Sequence, residues 1–133
     1  MIPFSTWVVW ILRKASYRWP SRYQALKAAK TGPNTFRCAK CKTEHKKEGK
    51  KRTITVDHII PVKDPARPQA FQEALTSCSC GVCDYIRKMF CGPEGLQVLC
   101  KNCHDKKTGK EMKERKVARR FKKKEEKHVS KSR

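Results

Sequence analysis

The chain has 133 residues, which suits one domain with little room for a second core. Its 33 lysines and arginines against 12 acidic residues give a formal charge of +21, spread over the whole length and densest in the tail. Such a field attracts polyanions, nucleic acid first, and the longest apolar run, residues 7–12, is far too short to span a bilayer.

Residues 4–30 read as two helical pieces. Ser5 or Thr6 is the expected cap of the first, with Trp7, Trp10, Ile11 and Leu12 on its apolar side. The break at Trp19-Pro20-Ser21 restarts the helix with proline near its first turn, and Ala25, Leu26, Ala28 and Ala29 follow. Trp7, Trp10 and Trp19 are expected as core or anchor residues, with base-stacking platforms as the alternative. Arg13, Lys14, Arg18, Arg22, Lys27 and Lys30 stud both pieces with no acidic residue among them, and residues 31–34 end the segment as a turn.

A strand is predicted over Thr35-Phe36-Arg37 leading into Cys38, followed by a basic loop over 44–51. Residues 53–60 are rich in β-branched side chains and read as a strand ended by Pro61. An irregular connection follows over 62–95, with helical patches at 69–75 and 85–90. Leu96-Gln97-Val98-Leu99 forms a second short strand. From His104 the pattern is helical and increasingly charged, and 122–133 is expected to be disordered or to order on a polyanion.

The cysteines carry the sharpest signal. Cys38-x-x-Cys41 and Cys100-x-x-Cys103 are two CxxC turns, each beside a predicted strand. One such turn offers two thiolates to an ion, and two give a closed tetrahedral zinc site. With no recognisable signal peptide at residues 1–12, paired CxxC turns in a basic chain read as metal ligands rather than disulfides, in a reducing, cytoplasmic compartment. Cys78, Cys80, Cys83 and Cys91 form a second group, read first as part of an insertion and alternatively as a second zinc site. His45 and His128 read as solvated.

Asp57-His58 ends the first long strand, and His104 follows Cys103 directly. A zinc clamp would tie strand start and helix start together, so Asp57 and His104 could meet. A carboxylate and an imidazole with open water positions suit Mg²⁺, Mn²⁺ or another divalent ion used in phosphodiester cleavage.

The run Val56-Asp57-His58-Ile59-Ile60-Pro61, followed by Leu96-Gln97-Val98-Leu99-Cys100-Lys101-Asn102-Cys103-His104 and Lys107-Thr108, resembles the HNH endonuclease family in its zinc-knuckled branch, particularly small bacteriophage-encoded members. The similarity covers about residues 36–109. It implies a small α+β fold: a ββα-metal (His-Me finger) unit with the structural four-cysteine zinc site, flanked by basic helices. Three segments follow: a basic helical lead at 1–34, the nuclease domain at 35–110, and a basic helical or disordered tail at 111–133.

By the resemblance, His58 is the general base, and Asp57 and His104 hold the catalytic divalent ion. The activity implied is hydrolysis of phosphodiester bonds in double-stranded DNA, in phage DNA processing within the host cytoplasm, with a packaging terminase as a further partner. Arg18, Arg22, Lys107, Arg119 and Arg120 are the expected phosphate contacts. The chain departs from the family at Gly95, where an asparagine that pins the loop of the base is usual. The alternatives are a non-catalytic, zinc-stabilised nucleic-acid-binding protein and a factor directed at RNA.

Overall fold

Val8, Val9 and Leu12, at helical spacing, form the inward face of α1 (Phe4–Ser16). Val9 is buried with Phe71, Tyr85 and Met89, and Val8 and Leu12 pack against that cluster. The expectation for two tryptophans is corrected here: Trp7 and Trp10 lie outward, each about half exposed. A valine–leucine stripe already satisfies the helices α1 meets, which leaves the larger rings on the opposite side. Ser5 and Thr6 fall inside the first turn rather than capping it. Trp19 does anchor: its indole N–H donates to the Cys91 carbonyl at 2.8 Å, and its ring meets Phe90 edge-on.

The structure, a computed structural model, describes residues 4–51, 53–67, 70–77 and 81–131. After α1 comes α2 (Pro20–Ala28), opened by its proline as expected. Three short strands follow, β1 (Lys30–Gly32), β2 (Thr35–Arg37) and β3 (Glu44–Lys46), paired antiparallel in that order. The turn predicted at 31–34 is thus the tip of a hairpin, with Asn34 in the left-handed region at φ 54°. Part of the predicted basic loop is β3 itself, with Phe36 opposite His45. Strand pairing therefore runs across position 34, where the sequence suggested a segment boundary.

The second sheet pairs β4 (Ile54–His58) antiparallel with β5 (Leu96–Cys100). Between these strands lie α3 (Ala70–Ser77), α4 (Gly81–Met89) and a 3-10 turn at Pro93–Gly95. The helical patch expected at 85–90 starts earlier, because Val82, Tyr85 and Met89 all serve the α1 cluster. Phe71 and Tyr85 meet at 4.1 Å between ring centroids and join α3 to α4.

β5 runs straight into α5 (Lys101–Lys131), which packs on both strands of the second sheet. With 31 residues α5 is about 46 Å long at 1.5 Å per residue. The tail, expected as helical or disordered, continues α5 to Lys131. No proline interrupts it, and Lys122 Nζ is tied to Glu73 of α3 at 2.7 Å. The molecule is thus a small α+β fold with short antiparallel strands and four clustered cysteines.

Candidate functional site

Cys38 follows β2 and begins a tight turn. Lys42 N–H donates to the Cys38 carbonyl and Cys38 N–H to the Thr43 carbonyl, both at 3.0 Å. Lys42 takes a left-handed conformation at φ 61° to close that turn. Ala39 N–H then donates to the Val98 carbonyl at 2.8 Å, which docks the turn on β5. Cys100 ends β5, and Cys103 lies in the first turn of α5. All four sulfurs come within 4.8 Å of one another. Cys38, Cys100 and Cys103 are buried, and Cys41 is exposed.

The electrostatics of this cluster favour a cation. Burial pushes the Cys38 thiol up, but the backbone N–H groups of Cys100, Cys41 and Lys40 outweigh it and hold it below its ordinary value. The His45 ring, 3.9 Å from Cys41 Sγ, is the main cause that lowers Cys41 to about 5, helped by Thr43. Cys103 is pushed up to about 12, first by the Cys100 thiol beside it, then by burial and by Cys38 and Cys41. A site where one thiolate forms easily and the last resists is relieved by a metal ion at its centre. Four soft donors suit a thiophilic ion such as zinc. His45, read from sequence as solvated, stands instead at the edge of this cluster. The signal for it was its distance of four residues from Cys41.

Next to the cluster is a cleft of about 560 Å³ between α1, β4 and α5. Asp57, His58 and His104 all line it. Successive helical residues turn by 100°, so Cys103 can face the sulfur cluster while His104 faces the cleft. His104, Lys107, Thr108, Glu111 and Arg115 line the cleft at helical spacing along α5. That spacing is legible in the sequence, yet Glu111 and Arg115 were missed.

Each predicted residue has a defined environment. His58 Nε2 lies 2.9 Å from the Met89 carbonyl oxygen, which can only accept, so Nε2 carries the proton. In the neutral ring Nδ1 then keeps the lone pair and is the basic nitrogen. Asp57 Oδ2 accepts from Lys107 Nζ at 2.5 Å, and the same ammonium donates to the His58 carbonyl. Glu111 lies 3.4 Å from Lys107 and 3.6 Å from Arg115. His104 is one-third exposed, with Nδ1 3.7 Å from Asp105.

Cations outnumber acids in the cleft, with Arg13, Arg22, Lys63, Lys107 and Arg115 against Asp57 and Glu111. Burial first, and then the like charges of Arg13, Arg115 and Arg119, push Lys63 below its ordinary value. Burial also lowers Arg22, against the opposing pull of Tyr17, Asp57 and Cys91. Arg22 donates to the Val56 carbonyl at 2.6 Å, so it positions β4 as well as lining the cleft. Of the other expected phosphate contacts, Arg18, Arg119 and Arg120 are exposed, and Lys107 is engaged by Asp57.

Gly95 has a physical reason. A Cβ built there would meet Cys91 Sγ at 2.7 Å and Cys91 Cβ at 3.0 Å, so Cys91 fills the space a side chain would need. The segment after His58 is held by the main chain instead, with Ile59 N–H donating to the Gly95 carbonyl at 3.0 Å. In the second cysteine group, Cys78 and Cys80 lie outside the described residues, Cys83 is exposed and Cys91 half-buried.

Comparison with protein-family models, with curated proteins and with solved structures finds no match. No helix among the described residues is long and apolar enough to cross a membrane.

Proposed function

We propose that this chain is a metal-dependent DNA endonuclease of the HNH type, a phosphodiester hydrolase built on a ββα-metal unit of β4, β5 and α5 and stapled by zinc at Cys38, Cys41, Cys100 and Cys103. The observation that carries the reading is the shared cleft: Asp57, His58 and His104 line it together, and its surplus of cations suits a phosphate backbone.

In this reading His58 Nδ1 takes a proton from water, the water oxygen attacks phosphorus, and the 3′ oxygen leaves. Nε2, fixed on Met89, keeps the ring in the required tautomer as that proton arrives. A divalent ion held by Asp57 and His104, magnesium or manganese, would stabilise the charge that builds on the phosphoryl and leaving oxygens. Arg115 and Lys63 would add to that stabilisation from the cleft wall. The products would carry 5′-phosphate and 3′-hydroxyl ends. The basic face of α5 would hold the duplex backbone, and a place beside a phage packaging terminase extends the same resemblance.

The test is nicking of supercoiled plasmid with Mg²⁺ or Mn²⁺, comparing the native chain with His58→Ala. Nicking by the native chain alone is the expected result. A native chain that binds DNA but never nicks it with any metal would support the second reading, a non-catalytic zinc-stabilised nucleic-acid-binding protein. That reading is favoured by one contact, the Lys107 ammonium resting on Asp57.

A further inference from the structure

The outward face of α1 carries a row of exposed rings, Phe4, Trp7 and Trp10, continued by Tyr17 just past the helix end. Such a run of exposed aromatics is unusual in a small soluble fold and marks an interaction surface. The helix itself brings only cations to this face, since the first acidic residue in the sequence is Glu44. Two of the rings already hold a cation: Lys14 Nζ lies 3.8 Å from the Trp10 ring centre, and the Arg22 guanidinium lies 5.4 Å from that of Tyr17. The row also leads somewhere. Arg13, Tyr17 and Arg22 line the cleft that contains His58 and His104.

Alternating rings and cations are what a single strand of nucleic acid needs. Unpaired bases stack on aromatic faces, and the backbone follows the positive charges. A duplex gains little from such rings, because its bases are already stacked and its phosphates need only charge. A flat anionic bilayer would cover the rings of α1 but would not follow the row into a concave cleft.

We infer that α1 is a stacking platform for an unpaired segment of nucleic acid, which enters the cleft past Trp10 and Tyr17. The inference rests on the nuclease reading only in naming the substrate that this cleft prefers: a strand with an unpaired stretch, such as a fork or flap, over uniform duplex. The binding surface itself stands on the rings and cations.

The experiment is tryptophan fluorescence and anisotropy of the zinc-loaded, full-length His58→Ala chain. It is titrated at fixed salt with poly(dT), with duplex DNA and with vesicles containing phosphatidylserine. Quenching by poly(dT) that exceeds quenching by duplex is expected. Trp10→Ala and Tyr17→Ala are both exposed changes and should leave the fold intact. Each should weaken poly(dT) binding by roughly 5- to 150-fold, the range for loss of one base–ring stack, and Trp10→Ala, outside the cleft lining, should leave duplex affinity nearly unchanged.

Equal quenching by duplex and poly(dT), or variants that bind poly(dT) like the parent, would overturn the inference. Quenching by vesicles alone would also overturn it and make α1 a membrane-surface helix. Plasmid nicking remains a separate readout. A chain that nicks but stays silent on poly(dT) loses this inference alone, and one that binds poly(dT) without nicking loses the nuclease reading alone.

Discussion

Lys107 Nζ sits 2.5 Å from Asp57 Oδ2, joining the first turns of α5 to the end of β4. The same ammonium caps the carbonyl of His58, so one side chain holds both residues of the Asp57-His58 pair in place. Both partners are about one-fifth exposed, which makes the contact more than a surface pair. It also means that Asp57 already has a cation when no metal ion is near it.

Removing that cation should therefore have two consequences. Lys107→Met leaves a partly buried carboxylate without its partner, at a cost of about 1–3 kcal/mol, visible as a lower melting temperature. Mn²⁺ should then restore stability to the variant more than to the native chain, because Asp57 becomes free to take the ion. Thermal melts with and without Mn²⁺ check this, and equal responses in both proteins would exclude competition between Lys107 and metal.

A second expectation concerns Gly95. Gly95→Asn pushes a side chain into Cys91, and overpacking of this kind costs about 1–3 kcal/mol. Pairing it with Cys91→Ala removes the sulfur that lies 2.7 Å from the new Cβ, so the double variant should recover much of the loss. A double-mutant cycle by urea unfolding measures the coupling. Additive losses would mean that Cys91 is not what excludes a side chain at this position.

The sulfur cluster should respond to acid in a defined direction. Cys41 is lowered from 9.0 to about 5, so its thiolate contributes stability that is fully present above its ordinary value and is lost as pH falls through about 5. His45 is the largest cause of that lowering. His45→Ala should therefore make metal release begin at higher pH during acidification, followed with a chromophoric chelator. Superimposable release curves would remove His45 from the site.

Chelation at neutral pH tests the staple as a whole. Stripping the metal should loosen the contact of the Cys38–Cys41 turn with β5 and expose Leu99, which is 1 % exposed in the closed structure. Loss of amide-exchange protection at Ala39, whose N–H is bonded to Val98, is the expected readout. Protection retained after complete metal removal would show that packing alone holds the turn.

The far end of α5 carries a last expectation. Glu73 lies below its ordinary carboxylate range because Lys122 donates to it. Glu73→Gln should raise amide exchange around Lys122 while leaving the exchange of β4 and β5 unchanged. Unchanged exchange near Lys122 would mean that α5 keeps its far turns without this tether.

The cysteine cluster was legible because two CxxC turns admit few other meanings, and β4 and β5 because β-branched runs with a proline stop are strong local signals. The grouping of Asp57, His58 and His104 in one cleft was legible once Cys103 was read as fixed. What stayed hidden depends on contacts distant in sequence. Trp7 and Trp10 look like core by hydrophobicity, and only the packing of Val9 against Tyr85 and Met89 turns them outward. Gly95 reads as a missing side chain until Cys91 is seen filling its place. β3 carries charged residues and no apolar alternation, so its pairing with β2 left no pattern to find.

Cys103 and His104 are neighbours on the first turn of α5, while Cys38 and Cys41 belong to the first third of the chain. During synthesis the early pair must wait for the late one, and Cys41 and Cys100 are separated by 59 positions. His104 leaves the ribosome one residue after the last sulfur. The cleft is lined as far along α5 as Arg115, so its wall is not complete until that residue has been made. The order in which the residues emerge therefore sets the order of assembly, with the sulfur cluster complete before the cleft.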